Sequence, residues 1–194
     1  MSIPPSRLSD EELIAEAQND NEAAFNHLVR RFKDPLTNFV YRFVGDLDDC
    51  EDIVQETFIR IYRSRKTYRP IAKFSTWAYT IATNLAKSHM RRKKLRKIIT
   101  FSSSRHEPEP IYDLRDETAS ADAMLESSFR EERIQKALNV LPVRYREIVV
   151  MRDIQELTYE EIVAITRLPM GTVKSRINRG RALLREMLRD LWNE

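Results

Sequence analysis

The stretch 158–184, TYEEIVAITRLPMGTVKSRINRGRALL, carries six residues whose chemistry suits the edges of DNA bases. Arg176, Arg179 and Lys174 can donate to guanine, Asn178 can pair with adenine through two bonds, and Thr172 and Ser175 can reach phosphates. They fall on a short run that opens a helix, and a helix start attracts phosphate by itself. A second group lies earlier, in NLAKSHMRRKKLRK. There Asn84, Lys87 (or Ser88) and Arg91 recur at steps of three and four, so they share one helical face. That face adjoins Trp77 and the aromatic segment from Tyr68 to Phe74. Bases beside rings and an amide suit single-stranded nucleic acid, with phosphates on the cations and nucleobases against the rings. Trp77 and Phe74 serve equally well as plain core residues, and Asn84 as an exposed helix amide. A third group is acidic. Residues 46–56, DLDDCEDIVQE, hold six acids and no base. Acids at a helix start suit the dipole. Asp52, Gln55, Glu56 and Arg60 at helical spacing suit equally a polar docking face for a basic partner.

These groups need helices to position them, and the sequence supplies helix signals. Ser9-Asp10-Glu11-Glu12 is a capping box opening a short helix over about 11–19. Phe25, Leu28, Val29, Phe32, Leu36, Phe39, Val40 and Phe43 form the apolar stripe of a second helix. Pro35 inside it predicts a kink or a division, and Gly45 suits its stop. A third helix is expected over about 48–65, and a fourth capped by Ser75. From 119 a helical pattern resumes through Leu125, Phe129, Ile134, Leu138 and Leu141. Pro142 opens the next helix. Thr158 and Glu161 form a second capping box. Leu168-Pro169-Met170-Gly171 reads as a turn before a last helix from Thr172, so the end of the chain has a helix-turn-helix pattern. The expected fold is all-α: two small helical domains, at 10–97 and 119–194, joined by a flexible acidic linker over 98–118.

Charge is unevenly placed. The net charge of the 194-residue chain is +3, from 33 bases and 30 acids. Eight bases and no acid lie in 87–105, and seven bases against one acid in 167–189. Between them, 107–133 holds nine acids and three bases. Two basic blocks of this kind can each neutralise several phosphates. Three glycines preclude a glycine-rich phosphate loop, and one cysteine precludes an internal disulfide framework. No acid–base pair, nucleophile–base set or metal cluster is evident, so the chain reads as a binding protein without catalytic residues, metal or cofactor. The N-terminal segment lacks the plan of a signal peptide, and no apolar run nears the ~18 residues of a membrane span. A cytoplasmic protein is expected.

Three strings in order, DCEDIVQETFIRIYR, KFSTWAYTIATNLAKSHMRRKK and LPVRYREIVVMRDIQELTYEEIVAITRLPMGTVKSRINRGRALLREML, resemble the sigma-70 family. They most resemble its extracytoplasmic-function branch, over about residues 10–191. The resemblance implies an alternative sigma factor, without catalysis of its own, that guides core RNA polymerase to promoters in stress responses. It implies that Asp52, Gln55, Glu56 and Arg60 dock on the clamp helices of the largest polymerase subunit. It implies that the −10 element is read as melted single strand. There Asn84 contacts a base, the loop Arg69–Phe74 with Lys73 and Trp77 holds an extruded base, and Lys87, Arg91 and Arg92 contact backbone. It implies that Arg152, Thr172, Lys174, Ser175, Arg176, Asn178 and Arg179 grip the −35 element as duplex. Asn178 departs from the aromatic or histidine found there in other members. An anti-sigma factor, in this branch often membrane-anchored, is the further partner implied, with no small-molecule substrate. The linker, with Glu107, Glu109, Asp113 and Asp116, would thread the polymerase's positively lined channels. A helix-turn-helix regulator of another class would explain the last helix but leaves the aromatic-basic fourth helix without a purpose.

Overall fold

The computed structural model describes residues 7–101 and 121–189. Among them every regular element is helical. Four helices form a first group: α1 (Asp10–Gln18), α2 (Glu22–Val44), α3 (Leu47–Ser64), which runs into a short 3-10 turn at Arg65–Thr67, and α4 (Phe74–Phe101). Four more form a second: α5 (Ala121–Val140), α6 (Val143–Val149), α7 (Tyr159–Thr166) and α8 (Met170–Met187). A π-helical turn, Val150–Ile154, ends α6. The linker expected over 98–118 lies outside the described residues from 102 onward, while 98–101 continue α4.

Local signals account for most boundaries. Ser9 accepts from the Glu12 N–H at 3.2 Å, and the Glu12 carboxylate accepts from the Ser9 N–H at 2.7 Å, closing the first capping box. Thr158 and Glu161 repeat this at α7. Asn21 caps α2 and Asp46 caps α3 through the Asp49 N–H at 3.0 Å. Gly45 ends α2 in the left-handed region, φ 77°.

Three expectations are corrected, and the alternatives at Pro35 are narrowed. Pro35 does not divide α2, which is helical from Glu22 to Val44; its buried stripe (Leu28, Phe32, Leu36, Phe39, Val40, Phe43) outweighs one missing backbone bond. Ser75 does not cap α4. The helix starts one residue earlier, and the Phe74 N–H donates to the Glu11 carboxylate of α1 at 3.0 Å. The last helix begins at Met170, two residues before Thr172, because Arg167 takes a left-handed φ of 58° and shortens the turn. Phe129, expected on the inner stripe of α5, is 60% exposed.

The first group packs α1, α3 and α4 around α2. Phe39, Phe43, Phe74, Leu13, Ile14, Leu28, Leu36 and Ile61 are fully buried there, each worth ~1.5–3 kcal/mol when removed from water. Cys50 is buried in the same layer and donates to the Thr37 carbonyl at 3.3 Å, and burial raises its thiol pKa to about 11. In the second group α6 and α7 pack on α8 through Ile148, Ile162, Ile165, Val173 and Ile177. Gly180 is buried against α6, where a Cβ would lie 2.6 Å from Val149 Cγ2.

The two groups share one continuous apolar core. α7 lies on α4, and α5 and the π turn lie on α2. Polar bonds cross the junction at its edges. Arg146 of α6 is 5% exposed, and its Nη1 donates to the Phe43 carbonyl at 2.9 Å. Its Nη2 donates to Leu141 at 3.2 Å and also to the Asn139 carbonyl. Gln155 accepts from the Tyr79 hydroxyl at 2.7 Å and donates to Asn38 at 3.3 Å.

The same junction generates a stability test at Gly45, where a Cβ would overlap the Asn139 amide of the second group. Gly45→Ala should lose about 1–2 kcal/mol from the left-handed backbone alone, and more from the overlap. Adding Asn139→Ala should recover the overlap part and leave the backbone part, as read by urea denaturation of the single and double variants.

Candidate nucleic-acid interface

The loop before α4 is pinned at both ends by α1. The Gln18 amide donates to the carbonyls of Arg65 and Tyr68, at 2.8 and 2.9 Å. Arg65 Nε donates to the Ala17 carbonyl at 3.0 Å. At the other end Glu11 holds the Phe74 N–H. Between these anchors Arg69, Pro70, Ile71, Ala72 and Lys73 project outward, with Ile71 93% exposed. The Tyr68 hydroxyl donates to the Ala72 carbonyl at 2.8 Å and folds the loop over the ring.

Phe74 is corrected as a strand-contacting residue. It is fully buried, edge-on to Phe32 at 5.1 Å, and supports the loop from beneath. Trp77 is half-buried and leans on Tyr68, with ring centroids 4.9 Å apart. Further along α4, Asn84, Arg91 and Arg92 are exposed. Lys73 and Lys87 have partners from the second group. Lys73 Nζ donates to Glu161 at 2.8 Å, and Lys87 Nζ stands 2.5 Å from a Glu147 carboxylate that is 3% exposed. The Lys73 hydrogen bond holds the Glu161 carboxyl below its ordinary range, and Glu161 in turn raises the Lys73 ammonium. The Glu147 oxygen lacks an aligned hydrogen bond despite this contact.

The acidic block divides by role. Asp46 is a helix cap, and Lys93 reaches both Asp46 at 3.2 Å and Asp49 at 2.6 Å. His89 Nε2 is also 3.0 Å from Asp49. Asp52, Gln55 and Arg60 face solvent, and Arg60 Nε donates to the half-buried Glu56 at 2.7 Å. Asp52, Glu56 and Arg60, but not Gln55, line an open cleft of about 500 Å³ with Arg92 and Lys93 of α4. Three of the four docking candidates and the end of the basic track therefore border one another.

On α8, Val173 and Ile177 point inward and are fully buried. Lys174, Ser175, Asn178 and Arg179 are exposed, and Thr172 and Arg176 are half-buried. The structure thus brings these six onto the outer side of one helix. Ser175 Oγ donates back to the Thr172 carbonyl at 3.0 Å. The Arg179 guanidinium, with Arg144, stands by the Tyr145 hydroxyl and lowers its pKa. Arg152, in the π turn, donates to the Leu157 carbonyl at 2.9 Å and lies over the Tyr159 ring, 5.3 Å from its centre. Arg181 is spent internally, donating to Asp153 at 3.0 Å and tying α8 to that turn.

Sequence reasoning missed Glu147, Gln155 and Glu161 as partners of the first group. Glu161 carried a signal only for capping. Glu147 carried one in its setting, a carboxylate beside Ile148-Val149-Val150-Met151.

Among the described residues no cluster of side chains could hold a metal, and no helix is long and apolar enough to cross a membrane. Known proteins share the pattern. Sigma-70 region 2 matches residues 28–96, and a Sigma-70 region 4 family matches 131–184. The ECF RNA polymerase sigma factor SigW of Bacillus subtilis is 37% identical over 180 residues, covering 92% of this chain and 96% of its own length. Sigma factor RpoE of Bartonella quintana, solved in complex with the anti-sigma factor NepR, superposes with a TM-score of 0.65 at 25% identity, over 85% of this chain and 96% of that one. CnrH, solved with the cytosolic domain of CnrY, superposes with a TM-score of 0.69 at 24% identity, over 93% and 97%, and shares the fold. Two cationic helical surfaces, carried by helices that match both regions in order, place this chain in the extracytoplasmic-function branch of the sigma-70 family, whose members direct RNA polymerase to initiate transcription at specific promoters.

Proposed function

We propose that the two cationic surfaces divide promoter reading between them. The unit over 10–97 takes the −10 element as melted non-template strand. The unit over 119–194 takes the −35 element as duplex, and 98–118 joins them. The observation that carries this is the difference between the surfaces. That on α8 is a row of hydrogen-bonding side chains on the outer side of one helix, with Lys174, Ser175, Asn178 and Arg179 exposed, fit for a major groove. That on α4 is a cationic track beside a pinned aromatic loop, fit for an unstacked strand.

In this reading Arg69, Lys73, Trp77 and Asn84 face the extruded base and its neighbours, while Lys87, Arg91 and Arg92 hold the backbone. Thr172, Lys174, Ser175, Arg176, Asn178 and Arg179 meet the −35 duplex, and Arg152 flanks them. Asp52, Gln55, Glu56 and Arg60 dock on the clamp helices of core polymerase, whose active site supplies the chemistry. Flipping a base costs a few kcal/mol, and a pocket that accepts one base converts this cost into selection. Mounting both units on polymerase makes the second contact intramolecular, so only promoters with the right spacing satisfy both. The protein works with polymerase in the cytoplasm. An anti-sigma factor is its regulator, as the Bartonella relative was solved with one.

Arg176→Ala should weaken binding of holoenzyme to −35 duplex by about 1–3 kcal/mol and relax preference at one base pair. Competition binding with a randomised −35 library reads both effects, and a uniform loss on all sequences would instead make Arg176 a phosphate contact. Asn84→Ala should slow open-complex formation on duplex promoters and relax preference at one −10 position. Permanganate footprinting with purified holoenzyme measures the first, and unchanged base preference would remove Asn84 from the reading.

A further inference from the structure

We propose that Arg144 and Tyr145, at the start of α6, join Arg179 of α8 in a clasp for one phosphodiester of the −35 duplex, so that the surface meeting that element extends from α8 onto α6. The inference rests on the reading of α8 as the −35 surface.

Four observations carry it. First, α6 and α8 meet where α8 has no side chain. A Cβ on Gly180 would lie 3.4 Å from Tyr145 Cβ, and this close approach sets the neighbouring Arg179 beside Tyr145. Second, the guanidiniums of Arg179 and Arg144 converge on the Tyr145 hydroxyl. Arg144 is steadied there by the ring itself, its Cζ 4.8 Å from the ring centre. Third, these two cations have no anion between them. Neither pairs with a carboxylate of the described residues, whereas Arg181, two positions on, donates to Asp153 at 3.0 Å. Two like charges at one neutral oxygen repel, and an anion set between them removes the repulsion. Fourth, the cluster is open and continuous with the reading row. Arg144 and Arg179 are exposed, and so is Ser175, one helical turn before Arg179 on the same side of α8.

The donors fit a phosphate. Arginine only donates, so the Tyr145 oxygen accepts from both guanidiniums and its own hydrogen is free to donate outward. The two unesterified oxygens of a phosphodiester can receive these groups together. A base edge fits less well, because the clasp lies at the seam with α6. Lys174, over the Tyr159 ring at 5.9 Å, borders α7 instead, about 140° around the helix from Arg179. The row on α8 is thus flanked by a tyrosine and cation on each side. A contact at the α6 seam orients α8 in the groove and carries no sequence information.

The test uses holoenzyme made with the full chain, a labelled −35 duplex, and competition binding over a range of salt. Arg144→Gln should weaken binding about five- to tenfold, by the same factor on every −35 sequence, and make the slope of log K against log salt shallower by about one. Arg144→Lys keeps the charge and should keep the wild-type slope. Tyr145→Phe keeps the ring and should lose about threefold. Duplexes carrying one neutral methylphosphonate at a time locate the phosphate. At one flanking position the wild-type protein should lose affinity, while Arg144→Gln should lose nothing further.

Wild-type affinity in Arg144→Gln or in Tyr145→Phe would overturn the clasp. So would a loss in Arg144→Gln that leaves the salt slope and the methylphosphonate map unchanged, since that marks a structural role. Wild-type −35 affinity and preference in both Arg176→Ala and Asn178→Ala would instead overturn the reading of α8 itself.

Discussion

A cation balances one anion at a time, and the molecule is arranged around that limit. Helix α4 carries lysines and arginines along one side and the apolar groups that build the first helical core along another. Its cations, with Lys73 just before its start, divide three ways. Lys93 holds Asp46 and Asp49 at the start of α3 and so belongs to the fold. Lys73 and Lys87 hold carboxylates of the second helical group. Arg91 and Arg92 are exposed. One helix therefore grades from structural ion pairing to a surface open to a polyanion. The grading follows from depth in the core and from which neighbouring helix lies opposite.

The junction between the two groups is stabilised in a way that suits separation. Its apolar part resembles any helix packing. Its polar part is made mostly of side chains that water can satisfy as well. The exceptions are Glu147, whose carboxylate is buried beside Lys87, and Arg146, whose guanidinium is buried and donates to carbonyls at the end of α2 and at the turn after α5. A cation at a helix C-terminus is favoured by the helix dipole. Burial also lowers the pKa of this arginine. The bonds to Asn139 and Leu141 lie within the second group and survive if the groups part, so Arg146 itself would lose only its Phe43 bond.

The sequence made local order readable and left long-range order hidden. Capping boxes at Ser9 and Thr158, the stop at Gly45 and the stripe of α2 each depend on residues a few positions apart, and each is present. Of the two alternatives at Pro35, division of the helix is excluded, because propensity is local while this helix is held by burial from three neighbours. Ser75 misled for a related reason: the donor at the start of α4 is satisfied by Glu11, 63 residues away. Phe129 sits on the right helix with the right spacing yet faces out. The positions of the nucleic-acid candidates on α4 and α8 were legible from step and charge. That Phe74 lies beneath its loop, and that Lys73 and Lys87 are engaged across the junction, follows from contacts spanning 60 to 88 positions, which no periodicity encodes.

The lone thiol has a practical side. Cys50 is enclosed between α2 and α3, bonded to the Thr37 carbonyl, and held protonated by a pKa of about 11. Thiolate is the species that peroxide and alkylating reagents attack. At neutral pH this chain therefore presents almost none, and oxidants have no direct handle on it through sulfur chemistry at this residue. A maleimide dye or spin label can accordingly be directed to any surface cysteine introduced by mutation, with the native thiol left in place.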